Sequence, residues 1–385
     1  MNAAAVVGLG VVSPAGEGVE RLWDVCRSGG GEFRPLTHFD ASGAGAYVAG
    51  FVPRSSDTEP HPGDPDRLAH LAVRAIRSAL RDAGATGPGE VTGLVLASTD
   101  SGGCTSTEAW RKGDRSDRSL AGGWVGEVAA ALGSDGPVLH VNTASASGAS
   151  ALDLGSELIG AGLADRVVVC GADTVTETAY YGLAALRALS STGCRPFSTR
   201  RSGIRLSECA AALVLEDDGH ARRRRARRHA VLLGAGSSNA GSQSARPDVG
   251  GIVGAVTQAL RSADLDASAV GYINAHAAGT RQGDKAEVTA LREVFGPHLP
   301  RIPVVSSKAA LGHCQGAAGA VEALITVLTL SRGEILPTLG LTDIAPEWQD
   351  LNFGLGPTAA PRVAVTTSCG LGAVNAALAF GAADD

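Results

Sequence analysis

Ten short runs rich in β-branched residues and leucine recur along this chain, separated by longer amphipathic segments, and no other feature limits its possible folds as much. The runs at 5–12, 93–98, 137–143, 166–172, 210–216, 230–235, 271–275, 303–306, 362–367 and 376–380 predict strands. Between them, segment 67–83 sets Leu68, Leu71, Ala75, Ile76, Ala79 and Leu80 at helical spacing. Segments 149–161, 253–262, 284–295 and 316–330 follow the same pattern. Strands alternating with helices of this length predict buried mixed sheets covered by helices, an α/β protein.

A length of 385 residues suggests two to three structural units. With 44% hydrophobic and 19% charged residues, a disordered or fibrous chain is excluded. Only 4% are aromatic, so alanine, valine and leucine must build the core, and 52 glycines permit close helix–sheet packing. The 33 basic and 39 acidic residues leave a net charge of −6, which argues against nucleic acid or an anionic membrane as partner. No window reaches the roughly 18 apolar residues of a membrane span, and the N-terminus lacks a signal-peptide pattern, so a cytoplasmic protein is expected. The seven cysteines (Cys26, Cys104, Cys170, Cys194, Cys209, Cys314, Cys369) never form a C-x-x-C pair. They predict reduced, buried thiols, with no disulfide frame and no metal site.

The clearest boundary is at 217–229, where Arg222-Arg223-Arg224-Arg225-Ala226-Arg227-Arg228 follows an acidic pair. This run reads as a solvated segment between two strands in preference to a docking patch for an acidic carrier. The polar, glycine-rich stretch 102–123 reads as a mobile loop. Gly8-Leu9-Gly10 lacks the third glycine of a nucleotide fingerprint and is set aside. Segments 142–149 and 367–373 both end a strand in small residues, a faint sign of a duplicated unit.

Three elements carry chemistry. Ser145 lies at the turn between a strand and a helix that begins near Ala146, where helix N-terminal amides favour an anion. His276 follows the strand Tyr272-Ile273-Asn274-Ala275, and Asp284 opens the next helix eight positions on. Lys308 and His313 share the loop Ser306-Ser307-Lys308-Ala309-Ala310-Leu311-Gly312-His313, and Glu322 falls in the helix beyond it. One histidine in an apolar setting is usually structural, but two on post-strand loops with a lysine and acids nearby suggest a site. Ala144-Ser145-Ala146-Ser147-Gly148 does not match the G-x-S-x-G elbow of a serine hydrolase.

In order and spacing these residues resemble the β-ketoacyl-acyl-carrier-protein synthases of fatty-acid and type II polyketide pathways. The resemblance runs from Val6-Val7-Gly8-Leu9-Gly10 to Ala376-Ala377-Leu378. It is strengthened by His38-Phe39-Asp40, Cys194-Arg195-Pro196-Phe197, Asn274-Ala275-His276, and Gly312-His313 with Gly316-Ala317-Ala318-Gly319. It implies a thiolase fold, a five-layered α-β-α-β-α sandwich of two pseudo-symmetric halves, here 1–225 and 226–385. It also implies a homodimer, or a heterodimer with a ketosynthase, joined near the edge strand 137–143. Substrates would arrive on the phosphopantetheine of an acyl carrier protein, with no other cofactor and no metal. By position, Ser145 stands where the family has its nucleophilic cysteine, and His276 and His313 match its two histidines. Lys308 matches the lysine behind the second histidine, Asp284 and Glu322 the acidic supports, and Thr280 a threonine that touches the pantetheine arm.

The departures are as informative. Serine replaces cysteine at Ser145, Ala277-Ala278 replaces Gly-Thr, and Ser207-Glu208-Cys209 replaces Gly-Glu-Gly. Cys369 and Leu371 occupy two positions that are usually phenylalanine, one of them the gate over the nucleophile. Stretch 102–136 is shortened, and Ala277-Ala278-Gly279 is similar to chain-length factors, the partner subunits of type II synthases. Those partners usually lack the histidines that this chain keeps. A thiol has a reference pKa near 8.5, which a helix N-terminus can lower to give thiolate. A hydroxyl lies far higher, and a helix end worth at most about 2 kcal/mol cannot ionise it. Ordinary Claisen condensation is therefore expected to be slow or absent. Decarboxylating a malonyl thioester, or transferring an acyl group, remains within reach of two imidazoles. The alternative is a non-catalytic partner of a cysteine-bearing ketosynthase.

Overall fold

The computed structural model describes residues 4–43, 45–85, 93–101, 113, 122–134, 136–241, 246–356 and 358–383. The predicted mobile loop falls almost wholly outside them. The strands among these residues are β1 (Ala4–Ser13), β2 (Gly16–Glu17), β3 (Phe33–Pro35), β4 (Val48–Gly50), β5 (Leu94–Ala97), β6 (Val138–Val141) and β7 (Arg166–Asp173). They continue with β8 (Cys209–Asp217), β9 (Ala230–Asn239), β10 (Tyr272–Asn274), β11 (Val304–Val305), β12 (Val363–Gly370) and β13 (Val374–Ala382). Helices are α1 (Val19–Ser28), α2 (Arg67–Asp82), α3 (Gly123–Leu132), α4 (Ser147–Gly160) and α5 (Glu177–Ala185). After the short α6 (Asp218–Arg223) come α7 (Val249–Ser262), α8 (Arg281–Phe295), the single turn α9 (Lys308–Leu311) and α10 (Ala318–Arg332). All ten predicted strands and all five predicted helices form, their ends displaced by no more than four residues.

Strand order is β11-β10-β12-β13-β9-β1-β8-β7-β5-β6, with β2 added to β1. Two five-stranded runs meet where Ala4, Ala5 and Val6 pair antiparallel with Leu232, Val231 and Ala230. Numbered within its own run, each has the order 3-2-4-5-1. In each, strand 2 is parallel to 3 and 4, and strand 5 is antiparallel to 4 and 1. One supersecondary plan is thus laid down twice. The topology corrects which loops are equivalent: the β6–α4 connection matches the β11–α10 connection, because each leads from strand 3 into a central helix. Segment 367–373 instead turns the β12–β13 hairpin.

Apolar packing sorts the elements into layers. On one outer face α2 sets Leu71, Ala75, Ile76 and Ala79 against Val7, Val168, Ala212 and Val214. Between the two runs, Val321, Leu324 and Ile325 of α10 share a core with Leu213 and Leu215 on one side and Leu378 and Phe380 on the other. Across the second run, Ile252, Val256 and Ala259 of α7 cover Ile273, Val365 and Ala377, with Val288 and Leu291 of α8 beside them. The result is an α-β-α-β-α sandwich. Every residue of α10 from Ala318 to Leu330 is buried, so its sequence is apolar nearly all round.

Two glycines let the central helices touch. A Cβ on Gly148 would stand 2.5 Å from the Ala320 nitrogen, and one on Gly319 would stand 2.5 Å from the Ala149 nitrogen. The arginine run lies on the surface around α6, where Arg222 and Arg228 pair with Asp218 and Arg224 pairs with Glu216. That supports the solvated-segment reading. Among the described residues no helix is long and apolar enough to cross a membrane, and no group of acidic, histidine and cysteine side chains could hold a metal ion. Six of the seven cysteines are described and all six are free thiols; burial pushes Cys26 and Cys194 up to about 12.

Candidate active site

The chemistry-bearing residues gather at the carboxyl ends of the parallel strands, where open α/β sheets bind ligands. Ser145 follows β6 and His276 follows β10. Lys308 and His313 follow β11, while Cys369 lies at the end of β12 and Leu371 just beyond it. Ser145, His276, His313, Thr280, Cys369 and Leu371 line one cavity of about 630 Å³. Lys308, Asp284 and Glu322 are buried behind its wall.

The turn that carries Ser145 is strained: Ala144 has φ 51°, a left-handed conformation uncommon for a residue with a side chain. Ser147 holds the turn, its hydroxyl donating to the Ala144 carbonyl at 2.5 Å and accepting from the Thr143 amide at 2.9 Å. Ser145 then precedes α4 by two residues. Gly370 lies against it: a Cβ there would stand 3.3 Å from the Ser145 nitrogen.

His276 and His313 lie edge to face with ring centroids 5.3 Å apart. The Gln315 amide donates to His313 Nδ1 at 2.9 Å, which leaves the ring proton on Nε2. Burial and then the nearby Lys308 charge pull both imidazoles below the ordinary histidine range, His313 to about 3. Both rings are therefore neutral at physiological pH. Lys308 Nζ pairs with Glu322 Oε1 inside the protein. Burial pushes Glu322 up to about 7 against the pull of that ammonium.

Asp284 does not touch either ring. It accepts backbone N–H bonds from Phe197 (3.0 Å), Gly279 (3.1 Å) and Thr280 (3.2 Å), and so shapes the loop after His276. Thr280 caps α8, its hydroxyl accepting from the Gly283 amide at 3.1 Å. Leu371 is 48% exposed at the cavity rim, and burial raises the Cys369 thiol well above its usual value.

Sequence reasoning missed Glu287, which accepts from the His276 and Ala277 amides at 2.8 and 2.7 Å and from the Thr367 hydroxyl at 2.5 Å. It stands three residues after Asp284 on the same buried face of α8. That pairing of carboxylates at helical spacing was a signal in the sequence. Gln315 and the buried Asp173 were also missed, the latter signalled only by an acid ending the apolar run of β7.

Two family models cover most of the chain: "Beta-ketoacyl synthase, N-terminal domain" over residues 1–221 and "Beta-ketoacyl synthase, C-terminal domain" over 229–342. The chain is 33% identical, over 95% of its length and 93% of the relative's, to the tetracenomycin polyketide synthase ketoacyl synthase alpha subunit of Streptomyces glaucescens. It is 31% identical, over 97% of both chains, to 3-oxoacyl-[acyl-carrier-protein] synthase 2 of Vibrio harveyi. Among solved structures, the ishigamide ketosynthase/chain length factor aligns over 100% of both chains with TM-score 0.88 and 29% identity. A β-ketoacyl synthase from Burkholderia phymatum aligns over 100% of both chains with TM-score 0.89 and 27% identity. These neighbours share the thiolase fold.

Proposed function

Given that the chain belongs to the β-ketoacyl synthase family, we propose that it acts on malonyl or acyl thioesters of an acyl carrier protein, by decarboxylation or acyl transfer and without ordinary condensation. The observation that carries this reading is the edge-to-face pair of neutral imidazoles on a cavity that also holds Ser145. A malonyl thioester in this cavity would lose its carboxylate as carbon dioxide. The electron pair of the broken carbon–carbon bond would become the enolate, its oxygen accepting hydrogen bonds from the imidazole N–H groups. Solvent water would then protonate the enolate carbon, giving the acetyl thioester. Neutral donors suit this step, and Lys308 helps keep them neutral.

Ser145 would take no part in decarboxylation. Acyl transfer would require one imidazole to remove the hydroxyl proton as the oxygen attacks the thioester, expelling the pantetheine thiol. On this reading Thr280 and Leu371 border the pantetheine arm, and residues 1–225 and 226–385 form the two halves. We place the dimer contact on β6, which ends the sheet and presents a half-buried edge that needs covering. The occupant is a second copy or a ketosynthase.

The partner-subunit reading draws on Leu371 and Ala278 and on the likeness to a ketosynthase/chain length factor structure. Incubation with malonyl- and acyl-carrier protein, followed by intact mass of both proteins, separates the readings. Acetyl carrier marks a decarboxylase, added acyl mass on this chain marks a transferase, and neither marks the non-catalytic partner.

A further inference from the structure

Asp173 ends β7 with 0% of its surface exposed, outside the cavity, and both of its side-chain oxygens are used. Oδ1 accepts from the Ser98 hydroxyl at 2.6 Å and the Asp100 amide at 3.3 Å. Oδ2 accepts from the Thr99 amide at 2.9 Å and the Gly316 amide at 2.6 Å. One carboxylate therefore joins the loop after β5 to the loop that carries His313. The first of these loops reaches Ser145 through Asn142, whose side-chain amide donates to the Thr99 carbonyl at 2.9 Å and the Ser101 hydroxyl at 3.0 Å. Asn142 Oδ1 in turn accepts from the Ala144 amide at 3.2 Å, next to Ser145.

On the other side, Gln315 donates its side-chain amide to the Thr174 carbonyl beside Asp173, and its backbone amide to His313. Gln315 has φ 52° and Ala144 has φ 51°, so both ends of this path are bent backbone held by those bonds. His276 is fixed separately, through Glu287 and Thr367.

We infer that Asp173 is a positioning residue that sets Ser145 against His313, and that His276 is placed independently of it. The inference rests on the reading that Ser145 and His313 work in one cavity. Asp173 touches no substrate; it acts by fixing two loops that belong to different halves of the chain.

The test uses full-length protein carrying Ser145→Cys and the bifunctional alkylator 1,3-dibromoacetone. The introduced thiol is alkylated first, and the second arm then captures whichever imidazole lies within reach; peptide mass gives the ratio of His313 to His276 cross-links. Adding Asp173→Ala is expected to lower that ratio on the order of tenfold, since small misplacements carry large rate costs. Asp173→Asn should restore most of it. The amide oxygen can face Thr99 and Gly316 while the NH₂ donates to the second lone pair of the Ser98 hydroxyl, which already accepts from the Ser101 amide; the 3.3 Å bond from the Asp100 amide is lost. The exposed Asn142→Ala should lower the ratio in the same direction, and decides the matter should Asp173→Ala not fold. An unchanged ratio in folded Asp173→Ala and folded Asn142→Ala would overturn the inference. If the parent protein cross-links to neither histidine, the shared-cavity reading fails first and takes the inference with it.

Discussion

The ring of His313 stands 5.3 Å from that of His276, centroid to centroid, and the two planes cross at 77°. On the proposed reading both rings turn an N–H toward the enolate oxygen. Replacing either histidine by alanine is expected to lower acetyl-carrier formation by about 10²–10³-fold, the usual cost of one preorganised donor. Steady-state assay beside circular dichroism checks it; turnover in both variants unchanged from the unaltered protein would remove the imidazoles from the chemistry.

Lys308 and Glu322 are 2% and 1% exposed, so each is compensated by its partner and not by solvent. Glu322→Gln strands a buried ammonium and is expected to cost about 3–5 kcal/mol of stability. Lys308→Met should cost less, because Glu322, already pushed up to about 7, can take up a proton. Urea unfolding of the three proteins at neutral pH measures the order.

His313 titrates near 3 when folded and near 6.5 when unfolded. Between those values the unfolded chain binds the extra proton, so the contribution of His313 to stability falls as pH falls. From pH 6.5 to 5 that loss is about 1–2 kcal/mol, because the slope rises from half of roughly 1.4 kcal/mol per pH unit, where the unfolded ring is half protonated, toward its full value. His313→Asn should lack it, and unfolding of both proteins at the two pH values gives the difference.

Much of this was legible in the sequence. The strand runs predicted β1 and its neighbours because burial on both faces leaves an unbroken apolar run, and the 3.6-residue spacing of 67–83 predicted α2 because burial on one face imposes that period. Six of the nine nominated residues line the cavity, since loops after parallel strands converge there. What escaped was relational. The equivalence of the β6–α4 and β11–α10 loops is set by strand order, which no local pattern encodes. Asp173 acts through backbone amides 74 and 143 positions away, so it carries no motif, while Glu287 left only its spacing from Asp284 as a trace.

The nucleophile position allows a direct replacement. With Ser145→Cys, a thiol at the start of α4 should ionise in part and acylate itself from hexanoyl- or octanoyl-carrier protein. Intact mass should show one added acyl group per chain. A folded variant that stays unmodified after prolonged incubation would favour the partner-subunit reading, with Leu371 and Ala278 marking a pocket no longer fit for the arm.

On the proposed reading the two imidazoles decarboxylate a malonyl thioester without help from Ser145. Release of labelled carbon dioxide from malonyl-carrier protein, compared between the unaltered protein and Ser145→Ala, tests it most directly. Both proteins are expected to release it at rates within a few-fold, roughly 1 kcal/mol in barrier. No release from the unaltered protein, or its loss in Ser145→Ala to the level of His313→Ala, would contradict that reading.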